Sequence, residues 1–257
     1  MNDLPLAGLG VVVTRPAGTG GRLVAGLRAL GADTLAFPAI VIEPIALDAV
    51  ATASLRRLSG FDLVVFVSPS AVARLFDVRP GTWPAALGAA AVGAGTAAAV
   101  VDHGVANVIA PEAGAGAEAL LALPELADMT GKRVLIAAGG GGSDRLENAL
   151  CDRGAETVRV ELYRRAPPMD GAALFEWLER QRDPALLVTS IAALDHLTAL
   201  AADADRERLL ASPLVVPSPR VVKQAEFLGY RHIIRAADAT DAALIAALVR
   251  WRESEHS

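Results

Sequence analysis

Val11-Val12-Val13-Thr14-Arg15-Pro16-Ala17-Gly18-Thr19-Gly20-Gly21-Arg22-Leu23, followed by Gly31-Ala32-Asp33-Thr34, decides the fold, because the chain writes it twice. The second copy is Val134-Leu135-Ile136-Ala137-Ala138-Gly139-Gly140-Gly141-Gly142-Ser143-Asp144-Arg145-Leu146, followed by Gly154-Ala155-Glu156-Thr157. Arg22 and Arg145, like Gly31 and Gly154, stand 123 residues apart, so the register holds without a gap. Each copy reads as a buried strand, a glycine-rich turn, an amphipathic helix and a Gly-Ala-acid-Thr exit. In the first helix Leu23, Leu27 and Leu30 share a side. This duplication predicts two similar halves with a cleft between them, the usual place for a ligand.

The duplication continues along the chain. Val64 to Val72 aligns with Leu186 to Leu194, Ala91 to Thr96 loosely with Val215 to Arg220, and Ala117 to Leu121 with Ala242 to Ile245. Short apolar runs predict strands at Gly10–Val13, Thr34–Phe37, Leu63–Val67, Ala89–Val92, Asn107–Ile109, Arg133–Ala137, Thr157–Glu161, Ala185–Val188, Leu214–Val216 and His232–Ile234. Continuous apolar strands alternating with helices predict parallel sheets covered on both faces, an α/β fold. Two proline-flanked segments, 37–44 and 162–167, predict semi-rigid connectors. If both cross between domains, residues 1–36 join 168–257 as one discontinuous domain and 45–161 form the other.

Composition narrows the function. Hydrophobic residues make up 53% of the 257, enough for sizeable cores. Net charge is −5 with no basic block, which argues against nucleic acid as a partner. Arginine outnumbers lysine, and the only lysines are Lys132 and Lys223. The single cysteine, Cys151, excludes an internal disulfide and a thiolate metal site and reads as a packed helix residue. His103, His196, His232 and His256 are not spaced as ligand pairs and read as surface or packing residues. Asp3 and Pro5 interrupt any apolar run at the start, and Pro84 to Val101 reads as strand, turn and helix, not a membrane span. A cytoplasmic monomer with no membrane partner is expected.

In parallel sheets ligands meet the carboxyl ends of strands, where helix N-termini point. Thr14-Arg15, Ser68, Gly93 with Thr96, Thr189-Ser190, and Ser218 all follow predicted strands. Taken singly each hydroxyl is an N-cap; taken together, five such turns with Arg15 beside one predict an anion site. The matches Gly93 to Ala98 and Gly114 to Ala119 to G-x-G-x-x-A lack a well-placed acid, and Gly139–Gly142 lacks a following Gly-Lys-Ser/Thr. No nucleotide site is therefore expected. Asp144 and Glu147 read as a solvated helix face. Tyr163, beside Arg164-Arg165, reads either as a proton donor to a leaving hydroxyl or as a linker anchor.

The ordered set Val13-Thr14-Arg15-Pro16, Phe37-Pro38-Ala39-Ile40, Phe66-Val67-Ser68-Pro69-Ser70-Ala71-Val72, Val92-Gly93-Ala94-Gly95-Thr96-Ala97 and Tyr163-Arg164-Arg165 resembles the uroporphyrinogen-III synthase family. Val188-Thr189-Ser190 and Pro217-Ser218-Pro219-Arg220 fit as well, so the resemblance spans the chain. It departs where the family's Thr-Ser-x-Asn-Ala-Val is Val67 to Val72, and where its second Gly-x-x-Thr-Ala is Pro217 to Val221. The resemblance implies two similar flavodoxin-like domains, each a parallel sheet flanked by helices, joined by a two-strand linker. It implies a cofactor-free lyase that closes linear hydroxymethylbilane, a polycarboxylate, to uroporphyrinogen III with its D ring inverted and water lost. Tyr163 is then the catalytic candidate. Thr14, Arg15, Ser68, Gly93, Thr96, Thr189, Ser190 and Ser218 are the substrate-binding ones. A non-catalytic two-domain protein that binds a small polyanion is the alternative.

Overall fold

The computed structural model describes residues 4–79 and 81–255; His256 lies outside them. The chain divides into two compact units, residues up to 41 with those from 166 onward, and 42–165. In chain order the elements are β1 (Gly10–Val13), α1 (Gly21–Ala29), β2 (Asp33–Ala36), β3 (Val41–Pro44), α2 (Ala49–Arg56), β4 (Leu63–Phe66), α3 (Pro69–Val78), β5 (Gly88–Ala91) and α4 (Ala94–Asp102). Then come β6 (Val108–Ile109), α5 (Ala117–Leu121), β7 (Arg133–Gly139), α6 (Arg145–Asp152), β8 (Glu156–Ala166) and α7 (Ala172–Arg180). The last are β9 (Ala185–Leu187), α8 (Ile191–Ala199), α9 (Asp203–Ala211), β10 (Leu214–Val216), α10 (Pro219–Leu228), β11 (Ile233–Arg235) and α11 (Asp241–Glu255).

Unit one holds a five-stranded sheet in the order β2-β1-β9-β10-β11, with parallel pairing throughout. Unit two holds β8-β7-β4-β5-β6 in parallel, with β3 on the outer edge of β8. Counted from β7, the second order is the first one again. The copies are therefore equivalent in space but permuted in the chain: unit one opens with its β-α-β, and unit two closes with it. Unit one has the flavodoxin-like order 2-1-3-4-5, and unit two has it when its strands are counted from β7.

The glycine at the exit of each β-α-β explains why the repeat keeps its spacing. Gly31 and Gly154 take φ of +92° and +91°, left-handed values that a side chain resists. Each closes its helix in the same way. The amide of Ala32 donates to Leu27 O at 3.1 Å, and that of Ala155 to Leu150 O at 3.1 Å. That is a shared C-cap, after which Asp33 and Glu156 open the next strand.

Both faces of each sheet are covered. In unit two, Val64, Phe66, Leu135, Ala137, Val160 and Leu162 pack on Val72 and Leu75 of α3, while Val65, Ile136 and Ala138 pack on Leu146 and Leu150 of α6. In unit one, Val12, Leu186 and Val216 meet α7, α8 and α10, and Val11, Val13 and Val215 meet Leu23, Leu27, Leu244 and Leu248. A wholly buried leucine of this kind contributes about 1.5–3 kcal/mol. No helix among the described residues is long and apolar enough to cross a membrane.

One expectation changes here and another gains detail. The boundaries between the units, at 41/42 and 165/166, fall inside the two proline-flanked segments, whose residues are also built into the cores. Ala39 and Ile40 are buried in the unit-one core, and the ring of His196 bonds Ala39 O at 2.9 Å. Leu162 and Tyr163 belong to β8 and to the core of unit two. Proline flanks marked extended backbone, but these residues are apolar enough to be claimed by the cores. Cys151 is exposed, because α6 turns Leu146 and Leu150 inward and the residue after Leu150 lies about 100° round the helix.

Tyr230 is buried in unit one, with its hydroxyl 3.0 Å from Thr198 Oγ1. Burial pushes its phenol up to about 12. An unfolded tyrosine ionises near 10, so above that pH the unfolded chain loses a proton that the native chain keeps. Stability of unit one is therefore unaffected by this group below about pH 10 and falls from there towards pH 12. Urea midpoints should fall more steeply over that range in the wild type than in Tyr230→Phe; equal slopes would remove the assignment.

Candidate functional site

Each sheet has a switch point where strand order reverses, between β1 and β9 in unit one and between β7 and β4 in unit two. Ligands of open α/β sheets bind outside the carboxyl ends of strands at such points.

In unit one the turns after β1, β9 and β10 lie side by side on that edge. Thr14 is 1% exposed, and its hydroxyl donates to Leu187 O at 2.8 Å, tying β1 to β9. Arg15 pairs with Asp241 at 2.6 Å and donates to Ala239 O at 2.7 Å, so it fastens the turn to the start of α11. Both groups are thus engaged within the fold. Ser190 caps α8 by accepting from the Ala193 amide at 3.2 Å, which leaves its proton free to donate; Thr189 beside it is half-buried. Ser218 heads α10 without a side-chain cap bond among the described residues.

Unit two brings two of the candidates into contact. Tyr163 OH lies 2.9 Å from Ser68 Oγ, and Ser68 also caps α3 by accepting from the Ala71 amide at 3.1 Å. Gly93, two residues past the neighbouring strand β5, caps α4, whereas Thr96 is only 5% exposed inside that helix.

Two features seat Tyr163. The pairing of β7 and β8 slips between Ala138, opposite Glu161, and Gly139, opposite Tyr163. That bulge turns the consecutive Leu162 and Tyr163 into the same core, which regular alternation forbids. The ring then lies against Gly139, where a Cβ would meet Tyr163 Cζ at 2.6 Å. The Gly140 amide donates across to Tyr163 O at 2.7 Å. The glycine run that fails as a phosphate loop is needed here to let an aromatic ring approach the backbone.

A cavity of 210 Å³ opens above the end of β7. Val67, Val92, Ile136, Ala138 and Leu146 form its apolar walls, and Glu147, Arg159, Tyr163 and Arg165 are its ionisable lining. Arg159 is held among three carboxylates: Asp144 at 3.3 Å, Glu161 at 3.6 Å and Glu147 at 3.9 Å. Asp144 and Glu147 are therefore not simply a solvated face. Asp144 is 73% exposed, but the Glu147 side chain is 25% exposed and turned towards Arg159 and Thr157. A larger cavity of 490 Å³, lined by Arg182, Arg208, His232 and Trp251 among others, lies in unit one at the amino ends of β9, β10 and β11. That is the edge away from the switch point.

Sequence reading missed Glu147, Arg159 and the cavity. The signal was present in Thr157-Val158-Arg159-Val160-Glu161, whose alternation puts its polar members on the α6 side. His103 stacks on Phe76 at 4.2 Å, and His232 is exposed.

The model of the family described as "Uroporphyrinogen-III synthase HemD" matches residues 21–246. The chain is 35% identical over 246 residues to a uroporphyrinogen-III synthase of Escherichia coli (strain K12), covering 93% of this chain and 100% of that one. It is 37% identical over 247 residues to the one from Salmonella typhimurium, with 93% and 100% covered. A crystal structure of uroporphyrinogen-III synthetase from Helicobacter pylori 26695 superposes with a TM-score of 0.60 at 13% identity, covering 95% of this chain and 99% of that one. This last likeness concerns the fold alone.

The packing at Gly139 gives a test. Gly139→Ala should lower the urea stability of unit two by about 1–3 kcal/mol, because the ring or the backbone must shift. Gly95→Ala, where the added methyl meets nothing within 4 Å, should be neutral or stabilising by up to about 1 kcal/mol. Equal effects would show that Tyr163 is not seated as described.

Proposed function

The chain belongs to the uroporphyrinogen-III synthase family, an enzyme family of tetrapyrrole biosynthesis, and we propose that it closes hydroxymethylbilane to uroporphyrinogen III. The D ring is inverted and the terminal hydroxyl leaves as water. The observation that carries the residue assignment is that Tyr163, which lines the cavity, is hydrogen-bonded to Ser68.

Ser68 Oγ already accepts from the Ala71 amide, so its own proton can point at the phenol oxygen. Tyr163 then directs its proton outward, to the leaving hydroxyl. The chain from helix amide to serine to phenol is aligned in one sense, and each donor strengthens the next. The N-terminus of α3 lies behind it and favours the negative charge that grows on the phenol as the proton departs.

The polycarboxylate substrate has to be held by a chain of net charge −5. Ser190, Thr189 and Ser218, with the amides that open α8 and α10, supply uncharged donors in unit one, and Gly93 supplies the head of α4 in unit two. Such donors bind carboxylates without adding a competing charge. Thr14, Arg15 and Thr96 serve this reading from behind, by fixing the turns that present the donors. Because the symmetric type I isomer forms without an enzyme, holding the substrate's ends in the right order is the larger part of the task.

Freshly made hydroxymethylbilane incubated with the protein should yield type III porphyrin after oxidation. Type I alone, at the uncatalysed rate, would sink the proposal. Tyr163→Phe should lower turnover by about a hundredfold, the scale of a lost general acid. It should cost only about 1 kcal/mol of stability, the scale of one hydrogen bond. A mutant of undiminished turnover would contradict the proton-donor role.

A further inference from the structure

We propose that Glu147 is the proton acceptor that partners Tyr163, taking the pyrrole N–H proton as the hydroxyl leaves. This rests on the reading of the reaction given above.

Loss of water from hydroxymethylbilane removes two groups. The C–O bond breaks, and the leaving hydroxyl gains a proton from Tyr163. The pyrrole nitrogen loses its N–H proton as its electrons form the exocyclic double bond of the neutral azafulvene. The balance therefore requires an acceptor as well as a donor, both within reach of one ring. The ring-facing side of such an acceptor must be open, and its other side must be fixed.

Glu147 meets these conditions. It lines the same cavity as Tyr163, and it comes from α6, whereas Tyr163 comes from β8. Its backbone is fixed by the burial of Leu146 and Leu150 on either side. Its carboxylate is guided by contacts that leave it short of full partnership. Thr157 Oγ1 donates at 3.4 Å, and an Arg159 nitrogen lies at 3.9 Å, beyond hydrogen-bond range. Arg159 is nearer to Asp144 and Glu161, neither of which lines the cavity. The guanidinium thus holds Glu147 in place by charge without occupying its oxygens, and it acts as a positioning residue. Val67, Val92, Ile136, Ala138 and Leu146 supply apolar wall that suits the faces of a flat aromatic ring. Arg165, also on the lining and exposed, is placed for a ring carboxylate.

The test compares Glu147→Gln with the wild type and with Asp144→Asn, which changes the exposed carboxylate on the same arginine. Thermal unfolding is followed alongside kcat, KM and the isomer ratio. Glutamine keeps an acceptor oxygen but cannot take a proton. It should therefore lower kcat by about a hundredfold, with KM within about twofold and the melting temperature little changed. Asp144→Asn should keep wild-type turnover. If Glu147→Gln fails to fold, Glu147→Met, of similar volume and apolar like the cavity walls, is read in the same way. A folded Glu147 variant with kcat within twofold of the wild type would overturn the proposal, as would equal losses in Asp144→Asn. A wild type that makes only type I product fails the functional reading itself, which separates that outcome from a failure of Glu147.

Discussion

The approach of the Tyr163 ring to the Gly139 backbone is the constraint on which the site in unit two depends. A side chain at position 139 would stand 2.6 Å from the ring. The bulge between Ala138 and Gly139 supplies the other half of the arrangement, since without it Tyr163 would point to the opposite face from Leu162. Together they bring a phenol from β8, two strands from β4, to the head of α3, within 2.9 Å of Ser68. The same glycines leave the end of β7 bare, and a cavity exists there because no side chain fills it.

That result reverses what the two copies suggest on the page. Thr14-Arg15-Pro16 is polar where Ala137-Ala138-Gly139 is not, so the first turn reads as the richer in binding chemistry. In the fold, Thr14 and Arg15 are committed to Leu187, Ala239 and Asp241. The Arg15–Asp241 pair is partly exposed and worth at most about 1 kcal/mol, so its role is to hold the turn rather than to stabilise the unit. The polar turn is bound to its neighbours in the fold, and the plain one makes room.

The layout of strands was legible because parallel strands covered on both faces are apolar throughout, and all ten expected runs carry a strand with ends shifted by a few residues. The glycines 123 residues apart were legible because only a left-handed turn keeps them. What could not be read was which residues a third element would claim. Ile40 and Leu162 lie in the proline-flanked connectors, and proline gave no sign that cores assembled from distant segments would bury both. Asp144 and Glu147 looked solvated because Arg159, twelve residues beyond Glu147, meets them only once β8 has paired with β7. Tyr163 was legible as a candidate, but its partner Ser68 lies 95 residues away and is set by a bulge that leaves no local mark.

The repeat itself serves as an internal comparison for where the chemistry resides. Moving back 123 residues from Glu147, Arg159 and Tyr163 reaches Val24, Ala36 and Ile40. Val24 packs against one face of the unit-one sheet and Ile40 is buried on the other, so neither position has an ionisable group to offer. Ser68, by contrast, has a counterpart in Ser190, and both cap the helix that follows the central strand. The helix-capping donors are thus common to the two copies, whereas Tyr163, Glu147 and Arg159 belong to one. A fold that only bound a polyanion through helix heads would need the first set alone. The second set, gathered round a bare strand end, is what the proposed proton transfer requires in addition.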